Sequence, residues 1–186
     1  MARNFYIGDW HYGHANIIAY DNRPYGTVEE MNEDLIRRWN AAVTEKDSVY
    51  ILGDMFWCTA KKALPVLDQL HGAKYLIRGN HDPFSVEFES KFVGVWDAKM
   101  VRDNGTKIYM SHCPKISFEN WQHGAVHFYA HVHNSFEYNI TKNVQRQLSE
   151  LHETECRMIN VGAMMPWMNY TPRTAEEILE AVYGRA

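Results

Sequence analysis

Seven side chains able to bind a metal recur in one kind of setting. Asp9, His11, Asp54, Asn80, His112, His131 and His133 each come at the end of a short apolar run, and most follow a glycine or another small residue. The stretch Leu76-Ile77-Arg78-Gly79-Asn80-His81-Asp82 is the clearest case. Its apolar run reads as a buried strand. Gly79 then allows a sharp turn and leaves Asn80 and His81 at the strand's mouth. An amide oxygen beside an imidazole at that place suits a metal ligand next to a proton donor. Any one such strand end reads equally well as an ordinary turn. Five of them in one chain do not.

Two carboxylates, one amide and four imidazoles are too many for one ion and enough for two ions that share a carboxylate. This mixture of hard oxygen and borderline nitrogen suits manganese, iron, zinc or nickel, and suits calcium poorly. The three cysteines (Cys58, Cys113 and Cys156) are odd in number and widely spaced. They read as reduced thiols in a cytoplasmic protein, not as a disulfide framework or a cysteine-rich zinc site.

The elements that must carry these residues follow in order. Phe5–Ile7, Ser48–Leu52, Lys74–Arg78, Lys107–Ser111, Ala125–Tyr129 and Arg157–Gly162 read as strands, and a further strand is expected within 92–101. Asn104-Gly105 is a hairpin signal. Thr27-Val28-Glu29-Glu30 is a capping box, and the apolar spacing of Met31, Leu35, Trp39 and Val43 predicts a helix over 28–44. Thr59 opens a second helix, bent at Pro65 and ending near His71-Gly72. A short helix over 84–92 is expected. Thr174-Ala175-Glu176-Glu177 caps a last helix that ends near Gly184. Residues 141–155 are polar and read as an exposed helix or a long loop. Met164–Met168 reads as an exposed apolar segment, either a contact of a homodimer or a pocket wall.

With 186 residues and 46% hydrophobic composition, one domain over 1–186 is the natural expectation. The formal net charge of −4 argues against stable nucleic-acid binding, which calls for a basic surface. No apolar run approaches membrane-spanning length, and the N-terminus passes straight into a strand-like run with no signal-peptide pattern.

The set Asp9-x-His11, Gly53-Asp54, Gly79-Asn80-His81-Asp82, Ser111-His112 and His131-x-His133 resembles the calcineurin-like metallophosphoesterases in order and spacing. Gly13-His14-x-Asn16-Ile17-Ile18 and Asn22-Arg23-Pro24-Tyr25 resemble a subgroup of small bacterial and phage members. The resemblance implies an α/β fold, a four-layer αββα sandwich of two mixed sheets flanked by helices. It implies that Asp9, His11, Asp54 and His133 hold one divalent ion, and that Asp54, Asn80, His112 and His131 hold the second. Asp54 would bridge them. A hydroxide between the ions would attack a phosphoester, and His81, paired with a carboxylate such as Asp9, would protonate the leaving group.

The expected substrate is a small-molecule phosphodiester, nucleotide-like where Trp10, Tyr12 or Trp57 can stack on a base. The alternatives are a phosphomonoesterase and a non-catalytic scaffold of the same fold. His14, Asn16 and Arg23 are candidates for phosphate contact, with loop packing as the competing reading. The chain departs from the resemblance at Ala130, where the family has glycine, and at Gly8, where small bacterial members have serine. It also lacks the Asp-Arg-Gly of protein phosphatases after Asp54, and Asp82 replaces their glutamate.

Overall fold

The computed structural model describes residues 2–83 and 85–184. Its strands are β1 (Asn4–Ile7), β2 (Ser48–Ile51), β3 (Ala73–Ile77), β4 (Gly94–Trp96), β5 (Ala98–Asp103), β6 (Thr106–Ser111), β7 (Val126–Tyr129), β8 (Arg157–Asn160) and β9 (Arg173–Thr174). Its helices are α1 (Ile17–Tyr20), α2 (Val28–Ala42), α3 (Ala60–Leu67), α4 (Val86–Glu89), α5 (Phe136–His152) and α6 (Ala175–Tyr183).

The strands form two mixed sheets with flanking helices. The first has the order β4-β3-β2-β1-β9, and the second β5-β6-β7-β8. Strands β1 to β4 run parallel, and β9 returns antiparallel beside β1. In the second sheet β5 and β6 form the hairpin that Asn104-Gly105 announced, and β6, β7 and β8 run parallel. The central parallel strands are buried on both sides, which is why they read as continuous apolar runs without alternation. Their inner faces meet where Tyr6 sets its ring edge-on to Phe128 at 5.0 Å.

Helix α2 buries Met31, Leu35 and Trp39 in the main core. Its cap is half of the expected box. Thr27 accepts from the Glu30 N–H, but the Glu30 carboxylate reaches the Gly26 N–H instead of that of Thr27. Helix α6 has the full box at Thr174 and Glu177.

One open expectation is decided and two change. Residues 141–155 lie mostly in α5, which buries only Gln145 completely and packs Tyr138 and Leu148 on the second sheet. Helix α3 stops at Leu67, not at His71. The His71 N–H and carbonyl are instead tied to Asn40 and Trp39 of α2. Met165 and Met168 lie in the core, so Met164–Met168 does not present the exposed apolar face that suggested a dimer contact. Of the helix expected over 84–92, α4 is present, and Phe84 lies outside the described residues.

Register decides where the polar strand ends go. Ile7 pairs with Ile51, and Ile51 with Leu76. Met110 pairs with Phe128, and Phe128 with Ile159. The carboxyl ends of β1, β2 and β3 therefore lie side by side, as do those of β6, β7 and β8. Gly8 joins the two sheets at this edge, donating to the Val161 carbonyl and accepting from the Ala163 N–H.

Candidate metal centre

Two groups of side chains converge at this joined edge. Asp9, His11 and His133 form one, and Asp54, His112 and His131 the other. Within each, the ligand atoms lie within 4.8 Å of one another. Asp54 Oδ2 stands between them, 4.0 Å from His11 Nε2 and 3.5 Å from His112 Nε2. Asn80 Oδ1 lies 3.0 Å from His112 Nε2 and so adds to the second group. All seven sequence-expected ligands are thus brought together.

The backbone is bent to do this. Asp9, His11, Asp54, His131 and His133 all have φ between 48° and 68°. That left-handed region is rarely adopted by residues with a side chain, and it costs roughly 1–3 kcal/mol each where the surroundings enforce it. Gly79 is needed for a different reason. A Cβ there would sit 2.2 Å from both the amide nitrogen and Oδ1 of Asp54. Only a bare backbone lets the β3 loop close over the Asp54 carboxylate, whose Oδ1 accepts the His81 N–H at 2.9 Å.

Second-layer contacts fix the ligands' orientation. His112 donates from Nδ1 to the Leu52 carbonyl at 2.7 Å, and His133 donates from Nδ1 to Asp21 at 2.7 Å. Freed of a proton at Nε2, as a metal ligand must be, each ring would turn a lone pair inward. His133 Nε2 then faces His11 Nε2 at 3.2 Å, and His112 Nε2 faces the Asn80 carbonyl oxygen. Asp9 accepts the His131 N–H with Oδ1, while its Oδ2 is buried with no hydrogen-bond partner. A cluster of imidazole nitrogens and side-chain oxygens, with one buried carboxylate oxygen left unpartnered, is what a pair of cations would satisfy. The donor set fits divalent ions of the borderline class.

The charges agree. Burial and the neighbouring His133 push His11 down to about 3, which keeps it a neutral ligand. Burial opposes ionisation of Asp54, but hydrogen bonding and charge from His112 outweigh it and hold the carboxyl near about 2. Burial alone would lower His112, yet the Asp54 partnership raises it to about 9. Burial raises Asp9, against the pull of His133.

Sequence reasoning missed three supports. Asp21 binds His133 with Oδ1 and Arg23 with Oδ2. Asp82, buried, accepts from the amides of Asp54, Met55 and Gly79 and so sews the β2 loop to the β3 loop. Asn160 donates to the His133 carbonyl and accepts from the Gly162 N–H. The Asp21 and Asn160 contacts lie far apart in sequence, where no local pattern marks them. Asp82 was in view, but only as part of a motif.

For Arg23 the loop-packing reading holds, not phosphate contact. Its guanidinium is sealed from solvent and bound to Asp21 and to the carbonyls of Asp9 and Trp10. With its donors aimed at the protein, it is not open to a phosphate. Trp10 is likewise wholly buried, packed on Trp39 and Phe56, and cannot stack on a substrate. The carboxylate within 4 Å of His81 is also not that of Asp9. Asp54 Oδ2 lies 3.9 Å from His81 Nε2.

A cleft of about 770 Å³ opens beside the first group. His11 and His133 reach it from the centre, with His81, Trp57, His14 and Asn16 among its walls. His81 is 40% exposed there.

The departures at Gly8 and Ala130 prove to be one feature. A Cβ on Gly8 would lie 2.6 Å from the Ala130 Cβ. The extra methyl at position 130 fits because position 8 has none.

Comparison with known proteins agrees with the geometry. The protein MJ1445 of Methanocaldococcus jannaschii is 40% identical over 141 residues, 74% of each chain. The Gene 66 protein of Mycobacterium phage L5 is 34% identical over 85 residues, 44% of this chain and 41% of that one. The crystal structure of AQ665 from Aquifex aeolicus superposes with a TM-score of 0.73 at 23% identity, over 98% of this chain and all of that one, and shows the same fold. The profile of the calcineurin-like phosphoesterases matches residues 5–149, so this chain belongs to that family.

Proposed function

We propose that this chain is a dinuclear metal-dependent phosphodiesterase. The reading is carried by one arrangement. Two inward-facing ligand groups flank Asp54 Oδ2, and a partly exposed His81 stands 3.9 Å from that oxygen. Bound there, two divalent ions supply Lewis acidity to the phosphoryl oxygens and an activated water.

The chain's own residues do the rest. Asp9, His11 and His133 hold the first ion. Asn80, His112 and His131 hold the second. Asp54 supplies the shared carboxylate, its Oδ2 lying between His11 and His112. His81 is anchored through its backbone on Asp54 and faces the cleft, where it can deliver a proton to the departing oxygen. His14 and Asn16 remain the cleft residues available to the substrate. A nucleotide-like diester is favoured because Trp57, exposed on the cleft wall, can stack on a base. Three free thiols fit a cytoplasmic setting. Among the described residues no helix is long and apolar enough to cross a membrane.

The test combines elemental analysis with a screen of aryl phosphodiesters, phosphomonoesters and cyclic nucleotides under added manganese, iron, zinc or nickel. Two transition ions per chain and preferential diester turnover are expected. Saturation at one ion, or preference for monoesters, overturns the reading.

A further inference from the structure

We infer that the cleft beside His81 is a leaving-group site for an uncharged, ring-bearing alcohol such as a nucleoside, and that Trp57 selects for the ring. The inference rests on the phosphodiesterase reading and extends it to one half of the substrate.

The direction comes first. A leaving oxygen that takes its proton from His81 must depart on the His81 side. The cleft lies on that side, since its central residues are His11, His133 and His81, while Asp54, His112 and His131 do not line it. The departing half of the diester therefore occupies the cleft and the retained half does not.

The chemistry of the walls follows. Trp57 is 42% exposed at this wall, although most large rings of the chain are buried. It lies 4.3 Å from the His81 ring and 4.1 Å from the His14 ring, centre to centre. Tyr20, 75% exposed, stands at the rim. Asn16 is exposed on the same wall and its side chain does not cap α1, so its amide can meet a ligand. The volume lies in the range of small-molecule sites. Lysine and arginine are absent from the lining, whereas a group carrying a further phosphate would call for them. Exposed rings, an exposed amide and no lysine or arginine describe a site for a neutral, flat, hydrogen-bonding group.

The experiment uses the metal-loaded protein and three substrates with the same class of alkoxide leaving group. These are thymidylyl-(3′→5′)-thymidine, its analogue with an abasic departing sugar, and its analogue with a further 3′-phosphate on the departing nucleoside. Bis(4-nitrophenyl) phosphate reports whether diester chemistry occurs at all. The parent should exceed both analogues by about 10-fold in kcat/KM, the scale of one base stacked on one aromatic ring. Trp57→Ala should bring the ratio of parent to abasic analogue close to one, and Trp57→Phe should restore part of it. If Trp57 only supports the His81 ring, Trp57→Ala slows parent and abasic analogue alike and keeps the ratio, which overturns the assignment. Equal turnover of the 3′-phosphorylated analogue also overturns it. Hydrolysis of the aryl diester with no ring preference defeats the leaving-group site alone. No hydrolysis of any diester defeats the phosphodiesterase reading as well.

Discussion

His133 and Asp21 are 112 residues apart and joined by a 2.7 Å hydrogen bond from the imidazole Nδ1 to the carboxylate. The two ligand groups are unequal because of it. His133 leans on a carboxylate, whereas His112 leans on a backbone carbonyl. A carboxylate behind a ligating imidazole makes it a better donor. Asp21→Ala should weaken metal binding at the first group by roughly 10–100-fold and leave the second less affected. Asp21→Asn, which keeps the acceptor but not the charge, should fall between. Calorimetric titration of the metal-free protein resolves the two steps, and an equal loss in both would count against the asymmetry.

Asp54 serves both groups. Asp54→Asn keeps the size and removes the charge that two cations share. Metal content should drop from two, and turnover should collapse with it. Elemental analysis beside a rate measurement checks this, and near-normal turnover would show that Asp54 is not the shared ligand.

His81 separates chemistry from metal binding. Its ring belongs to neither ligand group, so His81→Ala should keep two metals while turnover falls roughly 10²–10⁴-fold. A nitrophenolate leaves without a proton and should lose less than an alkoxide. Loss of a metal, or equal loss for both leaving groups, would assign His81 a different role.

Arg23 should matter to the fold more than to the substrate. Arg23→Ala strands the buried Asp21 carboxylate and two carbonyls, and removing one partner of a buried ion pair costs roughly 3–5 kcal/mol. Arg23→Lys should rescue little, because an ammonium cannot reproduce the fork of donors. Denaturant melts measure both. A variant of full stability would contradict the buried bracing role.

His127 predicts a pH effect. It donates from Nδ1 to the Tyr109 carbonyl and accepts the Lys115 N–H at Nε2. Burial pushes it down to about 4. Its folded value is therefore below its unfolded one, and the folded state holds it neutral. That contribution is complete above about pH 6.5 and is lost as the pH falls toward 4, where the unfolded chain takes up a proton first. The loss should amount to roughly 3 kcal/mol. His127→Phe should flatten the decline between those limits, as followed by urea melts of metal-free protein.

What the sequence revealed depended on locality. The strand ends were legible because Gly53-Asp54 and Gly79-Asn80 each place a turn residue and a ligand directly after an apolar run. The parallel register that brings Asp9 beside Asp54 follows from the same runs. Arg23 stayed undecided between packing and phosphate contact because its carbonyl partners come together only in the fold. Met165 and Met168 looked exposed because no period marks a buried loop. Helix α5 was ambiguous because it is covered along only a narrow stripe, so its polar residues show little helical periodicity. The left-handed turns at the ligands were hidden too, since Asp and His carry no conformational signature comparable to that of glycine.

The contact between positions 8 and 130 bears on how this edge of the protein can change over time. Serine at position 8 would put a Cβ 2.6 Å from the Ala130 methyl, so the backbone at one of the two positions would have to shift. A lineage moving from this pairing to serine and glycine must therefore lose the methyl at 130 before it gains the side chain at 8. The reverse passage must begin at position 8. The pair is a lock with two open settings and one forbidden intermediate, so divergence here proceeds in a fixed order.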